Sequence, residues 1–169
     1  MQIINSTLSD LPTIMSLYDV AIEHQKKVFT KYWQPFDQKM VEMEIREKRQ
    51  WKAVVDGQIV CIFVITYNDP AIWKEKDADP SIYLHRIVTH SQHRGKYFVK
   101  DIVAWAKRFG REQGKKFIRM DTFGDNQKLI DYYVSCGFNF LGLTSMGAAN
   151  DLPRHYKNAS LSLFEIAII

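Results

Sequence analysis

The chain has 169 residues, of which 46% are hydrophobic and 25% are charged. This length is enough to bury one substantial core and too short for two comfortable domains, so we expect a single domain over residues 1–169. The 23 Lys and Arg residues against 19 Asp and Glu leave a net charge of only +4, which argues against a nucleic-acid-binding protein.

Cysteine usage and hydropathy restrict the class of protein further. Cys61 and Cys136 stand far apart without a CxxC pair, so the sequence predicts neither a disulfide framework nor a zinc knuckle. No stretch approaches the roughly 18 uninterrupted apolar residues of a membrane helix, and Met1–Asn5 does not resemble a signal peptide. We therefore expect a cytoplasmic protein without a membrane partner, and we leave open whether it forms a homodimer.

Hydrophobic periodicity predicts a strand, two helices and a β-hairpin in the first half of the chain. Pro12 suits the first turn of the first helix, and Pro35 interrupts the helical pattern inside an aromatic segment. Asp56-Gly57 is a strong hairpin signal between two β-rich runs. The predicted bounds are Met1–Asn5 for the strand, a start at Thr7 or Ser9 for the first helix, Asp37 to about Arg49 for the second, and Trp51–Val55 and Ile59–Tyr67 for the hairpin strands.

In the second half, strands and helices alternate after a polar segment. Asn68–Pro80 contains two prolines and a single Trp73, and we expect it to form no regular element. Strands are predicted at Ile82–Thr89, Phe117–Thr122, Phe138–Leu143 and Ser160–Ile168, and helices from about Lys96 to Gly114 and over Asn126–Cys136. This order of elements predicts an α/β (α+β) domain with a mixed sheet and helices on both faces.

A basic turn separates the predicted strand Ile82–Thr89 from the helix that follows it. Arg94, Gly95, Lys96 and Lys100 gather at this turn. The free N–H groups and the positive dipole end of a helix start favour phosphate, so the turn predicts a phosphate-binding site. A solvated helix start with incidental basic residues is the alternative.

A second motif makes the pattern specific. Asn126 is followed seven residues later by Tyr133, and Gly137-Phe138 begins four residues beyond that tyrosine. With the Arg-Gly turn before it, this spacing resembles the GNAT superfamily of acyl-CoA-dependent N-acetyltransferases, and the order of elements fits across essentially the whole chain. The resemblance implies a mixed, splayed sheet of six to seven strands.

The resemblance implies acetyl-CoA as the cofactor. Ile87, Val88 and Thr89 would pair with the pantetheine arm like an added strand, and one of their amides would stabilise the oxyanion. Asn126 and Tyr133 would also contact the cofactor. The pyrophosphate would be held by Arg94, Gly95, Lys96, Tyr97, Phe98, Val99 and Lys100.

The sequence departs from the family pattern in the pyrophosphate loop. Tyr97 and Val99 stand where the family has small residues that let the backbone approach phosphate. This departure leaves open a catalytically degenerate CoA-binding or sensory module of the same fold.

The resemblance also implies how protons move. Tyr133 would protonate the leaving thiolate, although a core tyrosine is its alternative explanation. The attacking amine must be neutral, which requires a base or a water chain. We single out His85 as the base because a histidine is unusual in an apolar strand; a hydrogen-bonded core histidine explains it as well. The base candidates are Glu23, His24, His85, Asp121 and His155.

The acceptor is expected to be a primary amine of a small molecule or peptide. Trp33, Phe36 and Trp73 could form an aromatic wall for a cationic amine, or could simply anchor their loops on the core. The acceptor segments implied by the resemblance are Lys31–Phe36, Asn68–Pro80 and Ser145–Lys157.

Two other side-chain groups are assigned no role in the reaction. Cys61 lies in the middle of a predicted strand and is better explained as a buried hydrophobe than as an acyl-carrying nucleophile, so we expect direct transfer. His90 and His93 lack a third ligand nearby, so we expect no metal site.

Overall fold

The structure is a computed structural model, and it describes residues 1–147 and 158–169. The chain divides into two compact units. Unit 1 contains Met1–Ile65 and Arg86–Phe98, and unit 2 contains Thr66–His85 and Val99–Ile169. No helix within the described parts of the chain is long and apolar enough to cross a membrane.

Seven strands and five α-helices are present in residues 1–147 and 158–169. The strands are β1 (Gln2–Asn5), β2 (Gln50–Val55), β3 (Gln58–Thr66), β4 (Ser81–Thr89), β5 (Phe117–Phe123), β6 (Asn139–Ser145) and β7 (Ser160–Ala167). The helices are α1 (Leu11–Val28), α2 (Gln38–Arg46), α3 (Pro70–Trp73), α4 (Phe98–Glu112) and α5 (Gln127–Ser135). The strand order β1-β2-β3-β4-β5-β7-β6 confirms a mixed sheet, and the number of strands is seven.

Unit 1 is built on an antiparallel meander. β1 pairs with β2, and β2 pairs with β3 through the predicted hairpin, where Asp56 and Gly57 both have positive φ. Asp37 caps α2 by accepting a hydrogen bond from the Lys39 N–H. The core between α1, α2 and the sheet consists of Ile14, Leu17, Tyr18, Val41, Ile45, Ile62 and Val88.

Unit 2 combines one parallel ladder with two antiparallel ladders. The parallel ladder pairs Ser81–Tyr83 of β4 with Phe117–Arg119 of β5, and β7 lies between β5 and β6 in antiparallel register. The Arg119 side chain is 1% exposed and donates to Glu165 Oε2 and Asp79 Oδ2, both at 2.8 Å. This buried guanidinium joins β5 to β7 and to the segment before β4.

Two predictions for the second half of the chain are wrong. The segment Asn68–Pro80 contains α3 and a 3₁₀ helix at Lys74–Ala78, because Asp69-Pro70 supplies an N-cap and an N1 proline that start a helix too short to show periodicity. α4 begins at Phe98 rather than at Lys96, because Tyr97 has a φ of 55° and a left-handed residue cannot belong to a right-handed helix.

Candidate functional site

The end of β4 borders an open pocket in unit 1. Ile87, Val88 and Thr89 line it together with Arg94, so the strand and the basic turn singled out in the sequence meet at one place. The cavity volume is about 190 Å³, which holds a segment of a ligand rather than a large molecule. The remaining lining residues come from α1 and the segment after it, and are Ala21, His24, Gln25, Phe29 and Trp33.

Arg94 contributes a positive charge to the lining of this pocket. Arg94 Nη1 lies 3.4 Å from His24 Nδ1, and burial, with the charges of Arg94 and Lys27, lowers the pKa of His24. Lys96 Nζ lies 3.4 Å from His93 Nδ1 on the same loop. The positive charges of Arg94 and of the adjacent loop attract an anionic ligand, and phosphate is a suitable one.

The loop that precedes α4 contains two left-handed residues. Gly95 has a φ of 82°, and Tyr97 has a φ of 55° and is 54% exposed. Tyr97 therefore adopts the backbone that glycine favours while its side chain extends largely into solvent. Val99 is buried in α4.

Arg86 lies in β4 immediately before the pocket-lining residues Ile87, Val88 and Thr89. Its φ is 48°, an uncommon conformation for a residue with a side chain, so the position must be held by its surroundings. The guanidinium is paired with the buried Glu44 carboxylate and lies over the rings of Tyr18 and Phe36, at 5.4 and 4.9 Å. These contacts hold Arg86 in its left-handed conformation.

In unit 2, the register of the parallel ladder brings His85 and Asp121 together. Tyr83 pairs with Arg119, and the next residues on the same face of each strand are His85 and Asp121. Asp69, at the start of α3, completes a half-buried cluster in which one nitrogen or oxygen atom from each residue lies within 4.8 Å of the others. Thr66 Oγ1 lies 2.8 Å from His85 Nε2.

Electrostatics distinguish Asp69 within this cluster. Burial, together with the nearby carboxylate of Asp77, raises the pKa of Asp69 from 3.8 to about 6. Its Oδ2 atom is buried and has no hydrogen-bond partner within residues 1–147 and 158–169. A buried carboxylate oxygen without a donor is unfavourable, so this oxygen can accept a bond from a ligand at low cost.

Tyr133 lies half-buried on α5 in unit 2. Its ring packs against Phe138 and Phe164, with centroids 6.1 and 5.3 Å away, and against the neighbouring Tyr132 at 5.2 Å. Asn126 caps the same helix by accepting a hydrogen bond from the Leu129 N–H at 3.2 Å. The helix is thus fixed at its start and packed on its inner face.

The predicted aromatic wall divides between the two units. Trp33 and Phe36 contact each other at 5.7 Å in unit 1 and pack against its core. Trp73 is 3% exposed in unit 2, where Arg119 Cζ lies 4.9 Å from the ring. Its contacts are those of a core residue.

The remaining predicted candidates have separate locations. Glu23 is exposed on α1 and forms an ion pair with Lys26 at 2.7 Å. Cys61 is fully buried, and burial raises the pKa of its thiol to about 12, so it contains almost no thiolate at neutral pH. His155 lies outside the described residues.

Comparison with known proteins identifies the family. A model of the acetyltransferase (GNAT) family matches residues 15–138. The chain belongs to the GNAT family. The uncharacterized N-acetyltransferase YesJ of Bacillus subtilis (strain 168) is 28% identical to this GNAT chain over 79 residues, which cover 47% of the chain and 44% of YesJ. The chain therefore matches less than half the length of this curated relative.

Solved structures show the same GNAT fold over nearly the whole chain. An acetyltransferase of the GNAT family from Listeria monocytogenes 4b F2365 has a TM-score of 0.77 at 21% identity, covering 98% of this chain and 94% of its own. The Salmonella typhimurium protein YncA, solved with its cofactor acetyl-CoA, has a TM-score of 0.71 at 13% identity, covering 100% of this chain and 94% of its own. These identities are low, so the likeness establishes the fold.

The sequence did not single out two features of this GNAT chain. Asp69 was overlooked because it lies in a segment expected to be irregular, although an Asp directly before Pro is a recognisable helix start. The Arg86–Glu44 pair was overlooked because its members are 42 residues apart and no local pattern links them.

Proposed function

We propose that this chain transfers the acetyl group of acetyl-CoA directly to a primary amine of a small molecule or peptide. The observation that supports this most is the unit 1 pocket, where Ile87, Val88 and Thr89 share a lining with Arg94. These are the residues that the family pattern assigns to the pantetheine arm and the pyrophosphate. A strand edge beside a basic turn suits a ligand with an amide-bearing arm and an anionic end.

The loop backbone is compatible with this ligand despite its larger side chains. Gly95 and Tyr97 both have positive φ, so the chain follows the course that a glycine-rich loop would take. Tyr97 is 54% exposed, so much of its side chain is accessible to solvent. We therefore assign the pyrophosphate to Arg94–Lys100, with Arg94 and Lys96 supplying positive charge.

The chemical step is attack of a neutral amine on the thioester carbonyl. A carbon–nitrogen bond forms, the carbon–sulfur bond breaks, and the leaving thiolate takes a proton. We assign Tyr133 as the donor of that proton and His85 as the acceptor of the proton that the ammonium form of the amine must lose. The amides of Ile87–Thr89 would stabilise the tetrahedral oxyanion, a contribution typically of about 3 kcal/mol.

Direct transfer is favoured over an acyl-enzyme route. A thiol with a pKa of about 12 is a poor nucleophile at neutral pH because the thiolate is the reactive form. Cys61 is also fully buried, so neither the thioester nor an acceptor can reach it without opening the core.

The assignment of the acid is tested with a tyrosine pair on α5. We expect Tyr133→Phe to lower kcat by about 100-fold, since general acid catalysis typically contributes 10²–10⁴-fold, and to leave the Kd for acetyl-CoA within about twofold. Tyr132→Phe is the matched control, because it removes a hydroxyl from the neighbouring half-buried tyrosine and should leave kcat unchanged. Equal kcat for wild type and Tyr133→Phe would remove Tyr133 as the acid.

The same measurements separate catalysis from cofactor binding alone. Acetyl-CoA binding measured by calorimetry, combined with release of free thiol over a panel of primary amines, should show both binding and turnover. Binding without turnover on any amine would favour a CoA-binding or sensory module, and absence of CoA binding would refute the proposal.

A further inference from the structure

The buried pair of Arg86 and Glu44 is incompletely hydrogen-bonded. Glu44 is 4% exposed on α2, and its Oε1 atom accepts a hydrogen bond from Arg86 Nη2. The second carboxylate oxygen, Glu44 Oε2, and the second terminal nitrogen, Arg86 Nη1, are buried without a hydrogen-bond partner within residues 1–147 and 158–169. Desolvation of two buried charges offsets much of their attraction, so a pair with unsatisfied atoms adds little stability. Such a pair calls for another role.

The backbone of Arg86 indicates what that role is. Arg86 has a φ of 48° inside β4, whereas strand residues ordinarily have a φ near −120°. In the left-handed conformation the Cβ atom crowds the following carbonyl oxygen, so that glycine alone adopts it routinely. An arginine has no intrinsic preference for this backbone, so contacts of its side chain must offset the cost.

We infer that Glu44 is a positioning residue for the cofactor, an inference that rests on the proposed function. Through Arg86 it holds β4 in the backbone course that presents the amides of residues 87–89 to the pantetheine arm and the thioester carbonyl. Neither Glu44 nor Arg86 is among the residues that line the pocket. The site therefore requires a left-handed backbone at position 86, and the charged pair is the means by which an arginine provides it.

The dihedral angles of Arg86 decide where the first of these amides points. The peptide group after Arg86 contains the Ile87 N–H and is planar, so a rotation at Arg86 redirects this donor as a unit. Downstream the strand is held in place, because Val88 packs in the core of unit 1 and the Thr89 hydroxyl lies 3.8 Å from Cys61 Sγ. A return of Arg86 to a regular strand conformation would therefore change the direction of the Ile87 amide beside the pocket.

The core of unit 1 determines the position of the guanidinium. Glu44 belongs to α2, and Tyr18 belongs to α1. Phe36, whose ring centroid lies 4.9 Å from Arg86 Cζ, precedes α2 and contacts the pocket-lining Trp33 at 5.7 Å. The conformation of Arg86 thus depends on residues that are distant from it in the sequence.

The test compares two double variants that both remove the pair and differ by one methyl group. Neither Glu44→Leu/Arg86→Ala nor Glu44→Leu/Arg86→Gly retains an unpaired buried charge. We expect the Kd for acetyl-CoA, measured by calorimetry, to rise about five- to thirtyfold in the alanine variant, which corresponds to the left-handed cost of about 1–2 kcal/mol. In the glycine variant it should stay within about twofold of wild type, because glycine adopts this backbone without that cost. The kcat for thiol release should follow the same order.

A second ligand separates positioning from general damage to the fold. Adenosine 3′,5′-bisphosphate, the nucleotide end of CoA, lacks the arm and the thioester, so its Kd should be the same in both variants and the wild type. Glu44→Gln, which keeps the shape of the side chain and removes its charge, is a milder variant. Its Kd for acetyl-CoA should rise about threefold or more, because a hydrogen bond to a neutral group is weaker than one to a charged group.

The outcomes distinguish this inference from the proposed function. Acetyl-CoA binding by the alanine variant that equals wild type overturns the inference and leaves the proposed function standing, as does equal weakening in the alanine and glycine variants. Weakened binding of both ligands in the alanine variant also overturns it, because the damage is then general. An alanine variant that unfolds beside a glycine variant that folds and binds acetyl-CoA supports it. Should both double variants unfold, unchanged acetyl-CoA affinity in Glu44→Gln overturns it. Absence of acetyl-CoA binding by the wild type overturns the proposed function and the inference together.

Discussion

Asp69→Asn should stabilise the protein in a pH-dependent way. The folded-state pKa of Asp69 is about 6 and its ordinary value is 3.8. Between these values the folded protein keeps a proton that the unfolded chain has lost, so the free energy of unfolding falls as pH rises through this window. Well above pH 6 the raised pKa lowers the free energy of unfolding by its full amount, about 3 kcal/mol, because each unit of pKa difference corresponds to about 1.36 kcal/mol. Asn has the neutral form of the side chain at every pH and avoids this cost.

Urea unfolding measures the effect at two pH values. Linkage predicts that Asp69→Asn stabilises by up to about 3 kcal/mol at pH 7.5 and by about 1 kcal/mol at pH 4.5. Among the described residues, the titratable groups beside Asp69 include Asp77, His85 and Asp121, and all are present in both proteins. Asp19→Asn, which removes an exposed carboxylate from α1, is the control and should stay within about 0.5 kcal/mol of wild type at both pH values, as is usual for surface substitutions. A stabilisation by Asp69→Asn that is equal at the two pH values would refute the reasoning.

Three further substitutions test the unit 1 site and its supports. Arg94→Gln should raise the Kd for acetyl-CoA by about tenfold or more, since hydrogen bonds to charged groups contribute about 1.5–3 kcal/mol. The control is N,S-diacetylcysteamine, a thioester without the pyrophosphate, whose KM should be the same for the variant and the wild type. Arg86→Leu should lower the free energy of unfolding in urea by about 3 kcal/mol, because it leaves the Glu44 charge buried without its partner. The double variant Arg86→Leu/Glu44→Leu should recover much of that loss, and no recovery would show that the two residues are not coupled. Cys61→Ala should retain kcat, and native Cys61 should resist Ellman's reagent at pH 8; loss of turnover would contradict direct transfer.

Local features of the fold were predictable because short signals determine them. Asp56-Gly57 predicts the hairpin, and Asn126 predicts the start of α5, since a turn and an N-cap depend only on neighbouring residues. The start of α4 was misplaced because the left-handed backbone of Tyr97 has no signature in a residue of that type. A left-handed residue can be predicted from the sequence when it is a glycine, and it cannot be predicted when another residue type adopts that conformation.

The candidate site was only partly predictable, for a related reason. His85 and Asp121 could be singled out one at a time, but their proximity depends on the parallel register that pairs Tyr83 with Arg119. Asp69 joins them from the start of α3, a helix that the sequence did not predict. Register and tertiary placement are set by the whole sheet, so a list of candidate residues does not reveal which of them meet.

Arg86 gives β4 two distinct parts. In a regular strand, side chains alternate between the two faces, and one left-handed residue interrupts that alternation. Ser81–Tyr83 lie in the parallel ladder of unit 2 and lead to His85, whereas Ile87–Thr89 line the pocket of unit 1. Arg86 lies between these two parts of β4, and its contacts with Glu44, Tyr18 and Phe36 hold it in place. Replacing Arg86 by leucine should therefore raise the Kd for acetyl-CoA, because Ile87–Thr89 follow it directly, even though the Arg86 side chain is assigned no contact with acetyl-CoA.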